Sequence, residues 1–144
     1  MKTAGIIRKT TVFLLLLALA VSLAACSQSG PAPAETAAPA LTDGASIGEG
    51  KTAFSLEIVH SSGESKTITV HTDADTVGAA LLGLGIAAGE DSSYGLYVKT
   101  VDGETLDYET DGKYWAFYVG GAYAAAGVDQ TTVEEGVSYA FRAE

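Results

Sequence analysis

The sequence contains few of the residues from which catalytic and metal-binding sites are most often built. Its 144 residues include one cysteine and two histidines. A single cysteine excludes a disulfide within the chain. Positive charge is also scarce, because 8 Lys and Arg stand against 18 Asp and Glu and give a formal net charge of -10. Nucleic acids and anionic lipid headgroups attract cationic surfaces, so this balance disfavours both as binding partners.

The first 25 residues have the three-part order of a secretory signal peptide. Cations come first, residues 12–23 form an almost continuous apolar run, and Ala24 and Ala25 supply the small residues before a cleavage site. The alternative, an uncleaved transmembrane helix, needs about 20 apolar residues. Because the run is shorter than that, the sequence predicts a signal peptide over residues 1–25.

The only cysteine of the chain stands directly after this predicted signal peptide. The segment LAAC, residues 23–26, resembles the lipobox of bacterial lipoproteins. In that family the cysteine sulfur receives a diacylglycerol and the cysteine becomes the new N-terminus. The alternative is an ordinary cleavage site followed by a chance cysteine. The resemblance implies lipidation of Cys26 and a lipid-anchored location at the cell membrane or envelope, outside the cytoplasm.

Residues 26–51 are predicted to be the lipidated cysteine followed by a disordered tether. All three prolines of the chain lie here among many small residues, and Leu41 and Ile47 are the only bulky apolar side chains. A segment of this composition cannot bury enough apolar surface to offset its chain entropy. We expect this tether to set how far the folded domain can extend from the lipid anchor, and we expect no binding site in it.

Residues 52–144 are predicted to form one folded domain that begins with a β-hairpin. Apolar and polar residues alternate in its first two segments, which is typical of strands with one buried face. The polar loop between the segments suits a hairpin turn. We expect Ile58 to lie opposite Ile68. Leu56 then lies opposite Val70, and the two apolar sets share one face of the sheet.

A short helix is predicted to follow the hairpin. The side chain of Asp75 or of Thr76 can cap its first turn, and apolar residues recur at helical spacing from Val77 to Leu84. Gly85 suits the left-handed residue that commonly ends a helix. Because two glycines inside the segment weaken it, the helix needs a sheet beneath it.

The rest of the domain is predicted to form strands and turns. The predicted fold is therefore α+β, a small β-grasp-like, mostly antiparallel sheet with one short helix on one face. The order of hairpin, helix and later strands is similar to that of the β-grasp superfold. The later elements are strand 96–101, the turn Asp102-Gly103, strand 106–108, strand 114–119, the turn Gly120-Gly121, a return over 122–126, the turn 133–136 and strand 137–142.

The sequence lacks the combinations of residues from which catalytic sites are usually built. No thiol remains after lipidation, and the predicted register separates His60 from His71 by about 17 Å, too far to share a metal or act as a pair. We expect each histidine to be a polar residue at a strand end. Asp73 and Asp75 have the D-x-D spacing of a calcium loop but lack its later glycine and glutamate. We therefore expect a protein that is not an enzyme, without a metal site and without a cofactor besides the lipid.

The most distinctive segment of the domain is aromatic, because residues 114–118 read YWAFY. On a β-strand, Tyr114 and Tyr118 lie on one face and Trp115 and Phe117 on the other. One of the two faces must line the core. The other face either presents large rings to solvent or to a ligand, or is covered by the helix and the loops.

Residues 54–144 resemble the transcobalamin-like C-terminal domain, the DUF4430 type, a domain of unknown function in bacterial surface lipoproteins. The aromatic strand, the glycine turn and the last strand form an ordered set across almost the whole domain. In vitamin B12 carriers such a domain is the smaller half of a two-domain clamp on the corrinoid. The segments that carry the resemblance are TVGAALLGLGI at 76–86, KYWAFYVGGAYAAAGVDQTTVEEG at 113–136 and VSYAFR at 137–142.

This resemblance implies a cell-surface binding module for cobalamin, another corrinoid or another flat small ligand. Such a module would pass its ligand to a membrane transporter for uptake. The alternative is a protein-protein interaction or adhesion module that docks a surface protein through the same aromatic strand. The ligand-binding residues that the resemblance implies are Tyr114, Trp115, Tyr118, Gly120, Gly121 and Tyr123.

Overall fold

A computed structural model of the protein describes residues 41–144. The predicted signal peptide, Cys26 and the first part of the predicted tether lie outside these residues. Across the described range no helix is both long enough and apolar enough to cross a membrane. The elements in chain order are β1 (Ser46–Gly48), β2 (Thr52–Val59), β3 (Ser65–Thr72), α1 (Val77–Gly83), β4 (Ala87–Ser92), β5 (Gly95–Val101), β6 (Glu104–Thr105), α2 (Tyr108–Asp111), β7 (Trp115–Val119), β8 (Ala122–Tyr123) and β9 (Ser138–Ala143).

The strands form two sheets. The larger sheet has the order β1-β3-β2-β9-β7-β8, and the smaller has the order β4-β5-β6. Neighbouring strands are antiparallel except that β1 runs parallel to β3 and β2 runs parallel to β9. The predicted α+β class, mostly β and mostly antiparallel with little helix, is confirmed at this level. The division into two sheets was not predicted.

The hairpin of β2 and β3 forms, but its register differs from the predicted one by two residues. Leu56 pairs with Ile68, and Phe54 pairs with Val70. The turn is tighter than expected, because the backbone N–H of His60 donates to the carbonyl of Glu64 at 2.8 Å. A shift of two residues keeps every side chain on its own face. The apolar set therefore still lines the core.

Helix α1 forms where its capping residue predicts. The Thr76 hydroxyl accepts the N–H three residues along the chain at 3.2 Å, which satisfies one of the free donors of the first turn. The helix residues Val77 and Leu81 are fully buried. Gly85 has a φ of +68°, and the next N–H, that of Ile86, returns to the Leu81 carbonyl at 2.9 Å. The predicted helix and its glycine stop are confirmed.

The predicted tether is wrong over its last residues, 41–51. Strand β1 pairs with β3 there, and Leu41 is 5% exposed within the core. An edge strand is held by backbone hydrogen bonds, which need no apolar alternation. A composition poor in apolar residues therefore does not reveal it. The remainder of the predicted tether, residues 26–40, lies outside the described range.

The strands after α1 depart most from the predicted ones. The carboxylates Glu90 and Asp91 lie in β4, between the predicted helix and the predicted strand 96–101, where the sequence predicts no strand. Tyr108 begins helix α2, capped by the Asp107 side chain, where the sequence predicts a strand. The predicted return over 122–126 ends as a strand at Tyr123. Segments that are short or lack alternation pair only because tertiary contacts hold them.

Candidate functional site

A cavity of about 650 Å³ lies between the smaller sheet and the core-facing side of β7 and β9. Strands β4 and β5 form one wall, the aromatic residues of β7 and β9 form the second, and the segment after β8 forms the third. The lining residues are Glu90, Asp91, Ser92, Tyr94, Leu96, Tyr97, Val98, Tyr114, Trp115, Phe117, Tyr123, Ala124, Ala125, Ala126, Gly127, Val128 and Phe141.

The aromatic wall is held in place by ring packing. Alternation along β7 directs Trp115 and Phe117 inward, where they are 5% and 8% exposed. Trp115 meets Phe141 edge-on with ring centroids 6.5 Å apart, and its indole N–H donates to the carbonyl of Glu104 at 3.2 Å. Phe117 stacks on Tyr139 with an interplanar angle of 6°. Offset and edge-on packing of this kind favours one ring orientation, so this wall is preformed.

The third wall, residues 124–128, consists of small residues fixed at both ends. The N–H of Ala124 donates to the Phe117 carbonyl at 2.9 Å, and the N–H of Gly78 on α1 donates to the Val128 carbonyl at 2.8 Å. Val128 is 3% exposed and anchors the segment in the core. Because alanine and glycine project little beyond the backbone, the anchored segment leaves room for the cavity.

Charge is present only on one side of the cavity, at β4. Glu90 and Asp91 are the charged lining residues, and both are exposed. Lys99 lies outside the lining, with Nζ 3.2 Å from Glu90 Oε2 and 3.1 Å from Asp107 Oδ2. The hydrogen bonds to Asp107 and Glu90 raise the pKa of Lys99. The charged residues of the lining are therefore both acidic, and Lys99 forms a salt bridge with one of them.

The structure places only three of the six ligand-binding residues that the resemblance implies in the lining of the cavity. Tyr114, Trp115 and Tyr123 line the cavity, whereas Tyr118, Gly120 and Gly121 do not. The two glycines form the β7–β8 turn, both with positive φ.

Tyr118 belongs to the outer face of the larger sheet. Its ring packs edge-on against Tyr123 with centroids 5.4 Å apart and under the Arg142 guanidinium at 4.7 Å. The hydroxyl of Tyr118 donates to the Glu144 carboxylate. On the same side of the sheet, a hydrogen bond with the Tyr123 hydroxyl raises the pKa of Tyr114 to about 12. Both faces of β7 thus carry rings, and the inward face forms the cavity wall.

Several lining residues were not predicted from sequence. Phe117 shares its strand face with Trp115, so the alternation of β7 contains the signal that identifies it. Tyr97 and residues 124–128 carry no such signal. They reach the cavity only because the smaller sheet packs against the larger one.

A polar cluster lies behind Trp115, away from the cavity. His60 meets Glu104 and Asp102 through its two ring nitrogens, at 2.6 Å and 3.0 Å. Lys66 Nζ lies 2.9 Å from the same Asp102. His60 is thus a strand-end residue, as expected, but a half-buried one. Among residues 41–144, no three His, Cys, Asp or Glu side chains are grouped so that they could hold a metal ion.

Comparison with known proteins finds a family model that matches part of this region. Residues 74–141 match the model of a domain of unknown function, DUF4430. No curated protein sequence matches the chain.

Solved structures are also similar to the chain, and two of them are described here. The first is a crystal structure from Ruminococcus gnavus ATCC 29149, described as that of a proposed metal-binding protein. It is 26% identical with a TM-score of 0.62, and the match covers 65% of this chain and 97% of that one. The second is haptocorrin in complex with Cbi, 17% identical with a TM-score of 0.48, where the match covers 65% of this chain and 25% of that one. The resemblance predicted from sequence is confirmed, because residues 74–141 of this chain match the DUF4430 model.

Proposed function

We propose that the protein is a non-catalytic, lipid-anchored binding module outside the cytoplasm, and that the cavity between its sheets takes a small ligand. The observation that carries the proposal is the cavity itself, about 650 Å³ and walled by packed aromatic rings. Pockets for small molecules commonly measure about 300–1,000 Å³ and have mostly apolar walls with a few polar groups. The anchor and the location rest on the lipobox resemblance at Cys26 alone.

The polar groups of the lining support binding more than catalysis. Nucleophilic catalysis needs a nucleophile next to a base. Ser92 supplies the one lining hydroxyl outside the tyrosines, and it donates to the Gly95 carbonyl at 2.6 Å within its own turn. No histidine, lysine or cysteine is among the lining residues of the described chain.

We also propose that the larger sheet is β-grasp-like. The β2–β3 hairpin is followed by α1, and β9 then lies between β2 and β7, parallel to β2. This order agrees with a hairpin, a helix and a return strand in one sheet, which the sequence resemblance implies. Fold likeness of this kind supports a shared scaffold and leaves function to the site.

A corrinoid is the ligand that the sequence resemblance implies. A corrin ring with its side chains is larger than this cavity, so the aromatic wall would hold one part of it and a partner, such as a transporter, would cover the rest. Metal coordination forms no part of the proposal, because the described residues bring no three metal ligands together.

The test is a titration of the purified full-length protein with cobalamin and related corrinoids, followed by absorbance and thermal stability. Specific binding raises the melting temperature with ligand concentration. Ala126→Trp fills the cavity from an exposed lining position, and we expect it to weaken binding at least about tenfold, since a ring would occupy the ligand's volume. Ala122→Trp, on exposed β8 outside the lining, is the matched control.

If Ala126→Trp binds corrinoids with full affinity, the cavity is not the binding site. If no saturable binding occurs at high micromolar corrinoid, a corrinoid is not the ligand, and the second candidate function below is favoured.

The second candidate is a protein-docking role for the outer tyrosines. Tyr108 and Tyr123 are 64% and 59% exposed, and Tyr118 packs beside Tyr123. Exposed tyrosines offer contact area at low entropic cost and are enriched at interfaces. If this role is correct, Tyr108→Ser with Tyr118→Ser, two changes outside the cavity lining, abolishes cross-linking to a specific surface protein, and Ala126→Trp leaves it intact. The reverse pattern would contradict it.

A further inference from the structure

The charge of the cavity lining points to the chemical class of the ligand. The charged lining residues, Glu90 and Asp91, are both anionic. We infer that the cavity selects a small ligand whose flat ring carries a positive charge, an inference that rests on the proposed function. A ligand with a carboxylate or phosphate would meet like charges here without a lining cation to pair with.

The two carboxylates differ in how far they are already neutralised. Glu90 forms a salt bridge with Lys99 at 3.2 Å. Asp91 forms none with any residue between 41 and 144. Asp91 is therefore the carboxylate that is free to face a ligand cation. Because an exposed ion pair alone contributes little, the neighbouring rings must supply the rest of the attraction.

Those rings lie on the same hairpin as the carboxylates. Tyr97 on β5 is the cross-strand partner of Glu90 on β4. Tyr94, in the turn that joins the two strands, is 92% exposed and lines the cavity. The faces of aromatic rings attract cations, and the attraction grows as the cation loses water. Rings and carboxylates thus converge on one side of the cavity.

The protein already places one of its own cations in this setting. The ammonium of Lys99 lies 5.9 Å from the ring centroid of Tyr97 and contacts the Glu90 carboxylate. Lys99 itself lies outside the cavity lining. Asp91 and Tyr94 also line the cavity, and neither forms a salt bridge or a cation–π contact with another residue of the described range, 41–144.

The inference is tested with three tricyclic probes of nearly the same shape and different charge. At pH 8, 9-aminoacridine is a cation, acridine is neutral and acridine-9-carboxylate is an anion. Their binding to the full-length protein is measured by fluorescence titration. We expect the cation to bind at least about tenfold more tightly than acridine, and the anion more weakly than both.

Variants then locate the source of the preference. Asp91→Asn is expected to reduce the preference for the cation to about threefold or less while acridine binds as before, because it removes one charge and keeps the shape. Asp91→Lys should favour the anion. Glu135→Gln and Glu135→Lys make the same changes at an exposed turn outside the cavity lining. They should leave the preference for the cation unchanged.

The outcomes separate this inference from the proposed function. Equal binding of acridine and 9-aminoacridine overturns the inference and leaves a small-ligand cavity in place. An equal loss of preference in the Asp91 and Glu135 variants also overturns it, because the net charge of the protein would then be the cause. If none of the probes binds, the inference fails, and the corrinoid titration decides the proposed function separately.

Discussion

The imidazole of His60 lies against the carboxylate of Glu104, with Nδ1 2.6 Å from Oε2. His60 follows strand β2 of the larger sheet, and Glu104 opens strand β6 of the smaller one. The same imidazole packs edge-on against Trp115 with centroids 5.9 Å apart. One polar contact thus joins the two sheets directly behind a ring that lines the cavity, so its loss should affect both stability and the shape of the site.

The pH dependence of stability should reveal this contact. Burial alone would raise the pKa of Glu104, but hydrogen bonds from Ser61 and His60 outweigh burial and lower the pKa below its ordinary value of 4.5. Because the pKa of Glu104 is lower in the folded state, its ionised form stabilises the fold above that value. This stabilisation is lost as the pH falls through the lowered pKa.

Glu104→Gln is therefore expected to reduce the free energy of unfolding by about 1–2 kcal/mol at pH 7. The difference from the wild type should shrink toward zero in acid, and urea unfolding at several pH values measures it. Glu135→Gln, at an exposed turn, should match the wild type throughout. A Glu104→Gln difference that is constant with pH would contradict the contact.

Asp102 contributes both a charge and a backbone conformation to the same cluster. Its side chain is 4% exposed and lies 2.9 Å from Lys66 Nζ, and its φ of +48° lies in the left-handed region. Asp102→Ala should cost about 3 kcal/mol, because it removes the carboxylate that Lys66 and His60 both contact and places alanine in an unfavourable conformation. Asp102→Asn should cost about half as much, since asparagine tolerates this conformation. Urea unfolding compares the two, and equal costs would show that the conformation contributes nothing.

Features that depend on neighbours in sequence were predictable. Alternation identified the β2–β3 hairpin and the two faces of β7, and the Thr76 cap with Gly85 bounded α1. The Asp102-Gly103 turn was also correct, because both residues have the positive φ that a two-residue hairpin turn requires. These signals are local, so one sequence contains them in full.

Features that depend on packing were not predictable. Strand β4 has little alternation, and it pairs with β5 through a bulge after Ala88. The predicted return over 122–126 leaves the sheet after Tyr123, and residues 124–128 form a cavity wall. The aromatic strand therefore identified one wall of the site. The acidic wall and the small-residue wall required the position of the second sheet.

The start of the folded unit can be tested at Leu41, within the predicted tether. Leu41 is 5% exposed in the core, whereas Leu82 on α1 is 43% exposed. Leu41→Ala should reduce the free energy of unfolding by about 2–3 kcal/mol because it leaves a cavity. Leu82→Ala, the same change on the surface, should cost less than about 1 kcal/mol. Chemical denaturation of both variants measures the difference. If both variants lose the same small amount of unfolding free energy, residue 41 belongs to the tether and not to the folded unit.

The two glycines of α1 give a matched pair with opposite expectations. At Gly78, an added Cβ would lie 2.8 Å from Asp129 Cα, whereas nothing lies within 4 Å of one added at Gly83. Gly78→Ala should therefore push the backbone after Val128 away from the helix and cost about 2 kcal/mol. Gly83→Ala should stabilise the protein by about 0.5–1 kcal/mol, because alanine favours the helix.

The same pair of variants links the helix to the cavity. Gly78 holds the Val128 carbonyl through its N–H at 2.8 Å, and Val128 lines the cavity. Gly78→Ala should thus weaken binding of 9-aminoacridine as well as stability, whereas Gly83→Ala should change stability alone. Thermal unfolding and probe titration are measured on both proteins. Gly78→Ala could unfold more easily and still bind the probe with unchanged affinity. Residues 124–128 would then keep their shape without the hydrogen bond from Gly78, and α1 would not be what positions this wall.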